Sequence, residues 1–177
     1  MLKNPKIPGT DKTNKLLWLL IIPIIFVTAF FQIYITKIII EWWTDLIPIF
    51  KEPYIYSLSG FIGSEEGINE ISGSWFIFII WVICAVFNTF LGEEFLFRGL
   101  LLPRMKKVFK NFDWLVNGIL FGLYHTHQPW GILATIILSS VMWALTAKIF
   151  KSAWFGIIPH SAQSIYFSVV ILVLVIN

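Results

Sequence analysis

Five ionisable side chains lie in apolar surroundings: Glu93, Glu94 and Arg98 in GEEFLFRGLL, His125 in FGLYHTH and His160 in IIPHSAQ. A charge at the centre of a spanning helix costs about 2.5–3.5 kcal/mol on insertion scales, and a Leu or Phe there returns only about 0.3–0.6 kcal/mol. Three unpaired charges would therefore cost roughly 8–10 kcal/mol by simple addition. Such groups persist when they are paired, wetted or used. Glu94 and Arg98 stand at i,i+4 with the acid first, the order in which a helical ion pair forms on one face. Glu93 points about 100° away and has no such partner within its own turn. An intramembrane carboxylate without a local partner is a functional-site residue by default.

The residue types define a chemistry. A desolvated carboxylate has a raised proton affinity and can take a proton from water. Imidazoles can orient that water, stabilise an oxyanion, or ligate a divalent metal such as zinc. Glu93, His125 and His160 together suit hydrolysis of an amide bond, and the same three are the candidate metal ligands. The sequence has no HExxH, no GxSxG and no paired intramembrane Asp, so the familiar zinc, serine and aspartic templates lack support.

Composition says what must position these groups. The chain has 177 residues, 58% hydrophobic and 13% charged, with a mean hydropathy of +0.81. Soluble domains are about 45–50% apolar and about 25% charged, so lipid must cover part of this surface. An all-α fold follows: a polytopic transmembrane helical bundle of about five to six spans, multi-pass in the cell membrane and in contact with its lipids. The net charge of +3 sits in short clusters between apolar runs, a membrane-orienting pattern and not a nucleic-acid surface. The single Cys84 excludes an intramolecular disulfide and reads as a small buried or lipid-facing side chain.

Residues 1–15 form a polar tail with four Lys and two Pro. A first span follows at about 16–36, with Pro23 a candidate kink, then an interfacial segment at 38–50 rich in Trp and acid. An acidic, Gly- and Ser-rich loop covers about 51–73. The second span starts near Trp75 and carries the GEEFLFR run. Arg104, Lys106, Lys107 and Lys110 mark a surface helix that meets anionic headgroups. Further spans fall at about 113–125, 132–149 and 153–175, with Pro129 breaking the chain after the third. Residues 16–177 read as one membrane domain. Five spans put the tail, the 104–110 cluster and Lys148 with Lys151 on one side, the cytoplasmic one. At 1.5 Å per residue, Glu93 lies roughly 18 Å from Met105, His125 roughly 21 Å from Asn111 and His160 roughly 13 Å from Lys151. Three helices can thus bring them to a shared depth. His127 reads as interfacial, and Gly118, Gly122 and Gly156 as sites of close helix packing.

At these residues the chain resembles the CAAX-protease and bacteriocin-processing family, which includes the type II CAAX prenyl endopeptidases. That family is marked by EExxxR, FxxxH and HxxxN in order on successive membrane helices. Here they read Glu93-Glu94-Phe-Leu-Phe-Arg98, Phe121-Gly-Leu-Tyr-His125, and a third beginning at His160, where Ser164 takes the place of the usual Asn. The resemblance covers about 75–170, the expected peptidase core. It implies an intramembrane endopeptidase in which Glu93 activates water, His125 holds it, and His160 faces the oxyanion or a metal. Glu94 and Arg98 would organise the site. The implied substrate is a membrane-associated peptide or protein: a prenylated C-terminus, a bacteriocin or signalling-peptide precursor, or an invading toxin in self-immunity. Ser164 is shorter than Asn and has no amide, which leaves open a second reading, a non-catalytic membrane binding or immunity protein of the same fold.

Overall fold

The apolar runs fold as helices, and no strand forms among the described residues. The computed structural model describes residues 15–53 and 57–177, so the expected tail lies, but for its last residue, outside them. Seven helices organise the chain: α1 (Trp18–Leu46), α2 (Leu58–Ile62), α3 (Glu65–Ile71), α4 (75–109), α5 (Asp113–Tyr124), α6 (Pro129–Ile149) and α7 (Trp154–Ile176). Four stretches are long and apolar enough to cross a membrane: Trp18–Leu46, Trp75–Tyr124, Pro129–Ile149 and Trp154–Ile176.

The second stretch accounts for two of the expected spans. It doubles back at Lys110, whose φ of 52° and ψ of −113° no helix can continue through. α5 then runs for 12 residues, about 18 Å at the helical rise, and ends inside a hydrocarbon core of about 30 Å. The first span also differs from expectation. The 38–50 segment does not form a separate interfacial piece, because α1 runs on through Thr36–Leu46. The acidic loop holds structure too: Ser64 caps α3 by accepting the Gly67 N–H at 3.0 Å, with Glu65 and Glu66 in the first turn.

Two ends are distinct. At one, Lys148 pairs with Asp113 and donates to the Asn111 carbonyl at 2.8 Å, and Trp18 at the start of α1 packs on Phe155 with ring centroids 5.4 Å apart. The 104–110 cluster, Lys148 with Lys151 and the start of α1 therefore lie at one end. At the other, Ile71 of α3 packs against Ile171 and Val175 of α7, and Gly73 donates to the Val175 carbonyl at 2.9 Å.

Small and polar side chains make part of the contact between the spans. Down the antiparallel α4–α7 seam, Trp81 donates to Ser168 at 3.0 Å, Ser164 to Thr89 at 3.2 Å, and His160 to Glu94 at 2.8 Å. Gly156 lies against Trp143 and the Arg98 stem. Between α5 and α6, Gly118 and Gly122 let Ser140 and Ile136 approach the backbone, as small residues do between membrane helices. Phe97, Phe121, Leu138 and Trp143 fill the centre. Outward faces stay apolar: Phe26 and Phe76 are 70% and 73% exposed, and Cys84 is exposed with them. Lipid is the solvent such faces require.

A Cβ at Gly118 would overlap Ser140, whereas one at Gly131 meets nothing closer than 3.9 Å. Gly118→Ala is expected to lower thermal stability in detergent by about 1–3 kcal/mol. Gly131→Ala should leave it unchanged, and equal melting curves for the two variants would contradict this packing.

Candidate active site

The site grows from one stretch of α4. Ala85–Leu101 is wound with i→i+5 hydrogen bonds, a wider turn than the α-helix and one that recurs at functional sites. Glu94 and Arg98 still meet, at 2.8 Å between Oε1 and Nη1, with both side chains wholly buried. The guanidinium carbon lies 4.3 Å from the centre of the Phe121 ring and 5.2 Å from that of Trp143, so aromatic faces take up charge that the carboxylate leaves uncompensated.

His160 enters from α7. Its ring stacks on Trp143 at 3.9 Å and 17°, and its Nδ1 lies 2.8 Å from Glu94 Oε1. Glu94, ionised beside Arg98, only accepts, so Nδ1 carries the hydrogen and Nε2 is turned outward. His125 arrives where α5 stops. As the C-cap, with φ −90° and ψ 25°, it swings back so that Nδ1 lies 2.9 Å from the Phe121 carbonyl. A carbonyl also only accepts, so this Nδ1 is again the donor and Nε2 is free.

Both free nitrogens face the same group. His125 Nε2 is 3.5 Å from Glu93 Oε1, and His160 Nε2 is 3.9 Å from Glu93 Oε2. Asn88 donates to Glu93 Oε1 at 3.1 Å. The carboxylate is therefore held between two imidazoles whose outer nitrogens are anchored. It stands at the inner end of a cavity of about 820 Å³, within the range that takes small ligands. The walls come from α1 at Thr36 and Ile40, α4 up to Glu93, the turn after α5, and α7 from His160 to Phe167.

The structure thus brings Glu93, Glu94, Arg98, His125 and His160 into one cluster. Ser164 lines the same cavity, but its hydroxyl is directed at Thr89 and not at the cluster. Among the cavity residues that the sequence reading did not place in the site are Asn88, His127 and Gln163. Asn88 is about 140° from Glu93 on an α-helix, and only the i→i+5 winding brings the two together. His127 reads from the sequence as interfacial, beside Pro129 and Trp130, and on a continuing helix it would point away from His125. Because α5 ends at Tyr124, it folds over the site instead, stacked on His125 at 5.6 Å and 30°. Gln163 lines the cavity and accepts from Gln32 of α1 at 2.8 Å, a contact no local pattern encodes.

Glu93, His125 and His160 are the residues a metal would require. Among the described residues, no group of three or more His, Cys, Asp or Glu is placed to hold a metal ion.

Removing Arg98 would leave Glu94 buried and unpaired. Arg98→Ala is expected to cost about 3–5 kcal/mol of stability, whereas Glu93→Gln, which lines the cavity and has no buried cation bound to it, should melt close to wild type. Thermal unfolding in detergent checks both, and an unaffected Arg98→Ala would refute the structural role of the pair.

The type II CAAX prenyl endopeptidase Rce1-like family model matches residues 74–166, more than half of the chain. Neither a curated protein nor a solved structure matches it.

Proposed function

Since the chain belongs to the type II CAAX prenyl endopeptidase Rce1-like family, a CAAX-type intramembrane protease, we propose that it is a glutamate-dependent endopeptidase acting on a membrane-associated peptide. One observation carries this reading: two imidazoles, each anchored through Nδ1, present Nε2 to the Glu93 carboxylate at the inner end of the cavity.

Glu93 Oε1 and His125 Nε2 are both acceptors in the neutral-histidine form, and at 3.5 Å they do not bond well to each other. A water donating to both satisfies them and is poised to react. Glu93 takes one proton from that water while its oxygen bonds to the scissile carbonyl carbon. The carbonyl π pair moves onto oxygen, and His160, having taken a second proton from solvent before the attack, donates its Nε2–H to this oxyanion. When the tetrahedral intermediate collapses, the C–N bond breaks and the leaving amine takes the proton held by Glu93. Glu94 and Arg98 touch no reacting atom; they fix His160.

The substrates this reading admits are a prenylated CAAX-type C-terminus, a bacteriocin or signalling-peptide precursor, or a toxin cleaved in self-immunity. The placement of the 104–110 cluster and Lys148 with Lys151 at the end where α1 starts supports a cytoplasmic N-terminus.

Mass-spectrometric comparison of peptide termini from cells with matched levels of wild type, Glu93→Gln or His125→Ala tests the reading. Termini present with wild type should fall by about 10²–10⁴-fold or more in each variant. Identical termini across the three would leave a non-catalytic binding or immunity protein. Termini that persist when isolated membranes are assayed with excess chelator would support the glutamate-dependent route. Loss under chelator with recovery on adding zinc would make His125 and His160 metal ligands.

A further inference from the structure

Ser164 occupies the position where an amide would be expected, and a serine hydroxyl has one hydrogen to give. Here that hydrogen goes to Thr89 Oγ1 at 3.2 Å, so Ser164 has no donor left for a reacting group. An amide does stand in the same space, on another helix. Asn88 of α4 is exposed to the cavity, and Asn88, Thr89 and Ser164 line it together. One Asn88 N–H is donated to Glu93 Oε1 at 3.1 Å. The second N–H of the same Nδ2 has no partner among the described residues.

We infer that Asn88 is a catalytic residue that supplies the amide hydrogen bond to the developing oxyanion, the contact Ser164 cannot make. The inference rests on the peptidase reading of the site. Its geometric basis is the i→i+5 winding of Ala85–Leu101, which turns residue 88 onto the face of residue 93. Nδ2 is then anchored by the base that activates water, so its free N–H stays beside the carbon that the water attacks. A preformed donor at that point strengthens as negative charge develops and needs no reorganisation. Asparagine suits this better than serine, because the planar amide can hold Glu93 with one hydrogen and meet substrate with the other.

The experiment uses the full-length protein in cells and reads the rate at which the wild-type-dependent termini appear. Asn88→Leu, close in size but without a donor, should slow that rate by about 10²–10³-fold, the usual loss for one oxyanion donor. Asn88→Ala adds no bulk and should show the same loss. Asn88→Leu combined with Ser164→Asn should regain about tenfold or more, because the new amide enters the same space from α7. In the Glu93→Gln background, Asn88→Leu should still capture uncleaved precursor as Glu93→Gln alone does, since the contact forms only as charge develops. An undiminished rate in Asn88→Leu, a loss that Ser164→Asn does not repair, or loss of precursor capture would each overturn the inference. Failure of the peptidase reading is seen separately, as termini shared by wild type and Glu93→Gln, and takes the assignment of Asn88 with it.

Discussion

The buried pair between Glu94 and Arg98 is the constraint on which the rest of the site depends. In a helix surrounded by lipid, neither charge can be left alone. The 2.8 Å contact neutralises both, and neighbours surround it, although Glu94 Oε2 and Arg98 Nε have no hydrogen-bond partner among the described residues. Phe121 and Trp143 lie around the guanidinium, and His160 donates to the same carboxylate oxygen. Each of these partners sits on a different helix from the pair. Satisfying one i,i+4 ion pair therefore fixes α5, α6 and α7 around α4 at the depth of the site.

Two adjacent carboxylates then acquire opposite roles from their surroundings. Glu94 is wholly buried and bound to an obligate cation. Glu93, about 100° around the helix, faces a cavity, an amide and two imidazoles with free nitrogens. Neighbouring acids whose environments differ in this way can divide the labour of a site, one holding the framework and the other exchanging protons. The stacking of His160 on Trp143 extends the framework. It keeps the imidazole plane fixed while one nitrogen is tied to Glu94 and the other is offered to the cavity.

Much of this was legible in the sequence because the bilayer makes charge conspicuous. Glu93, Glu94, Arg98, His125 and His160 were identifiable as costly residues at matching depth, and the i,i+4 pair followed from helix geometry. The all-α membrane fold followed from composition. What escaped depended on departures from the straight α-helix. Asn88 joins Glu93 only through the wider winding of Ala85–Leu101. His127 and the true orientation of His125 depend on α5 stopping at Tyr124. The capped helix α3 was hidden inside an acidic segment whose composition reads as loop, although Ser64 with Glu65 and Glu66 is a local start signal.

The part of the chain outside the family match has a role that the motifs do not convey. α1 contributes no reacting group, yet Thr36 and Ile40 wall the cavity. Gln32 binds Gln163 at 2.8 Å, beside Ser164, and Trp43 donates to the Pro129 carbonyl at 3.0 Å, closing the turn that carries His127. On the proposed reading the chemistry is carried by α4, α5 and α7, while the shape of the space in front of it is set partly by α1. On that reading, recognition by the cavity walls and reaction at Glu93 fall largely on different segments. Under the peptidase proposal, changes at Thr36 or Ile40 would alter which peptide is accepted while leaving Glu93, His125 and His160 in place.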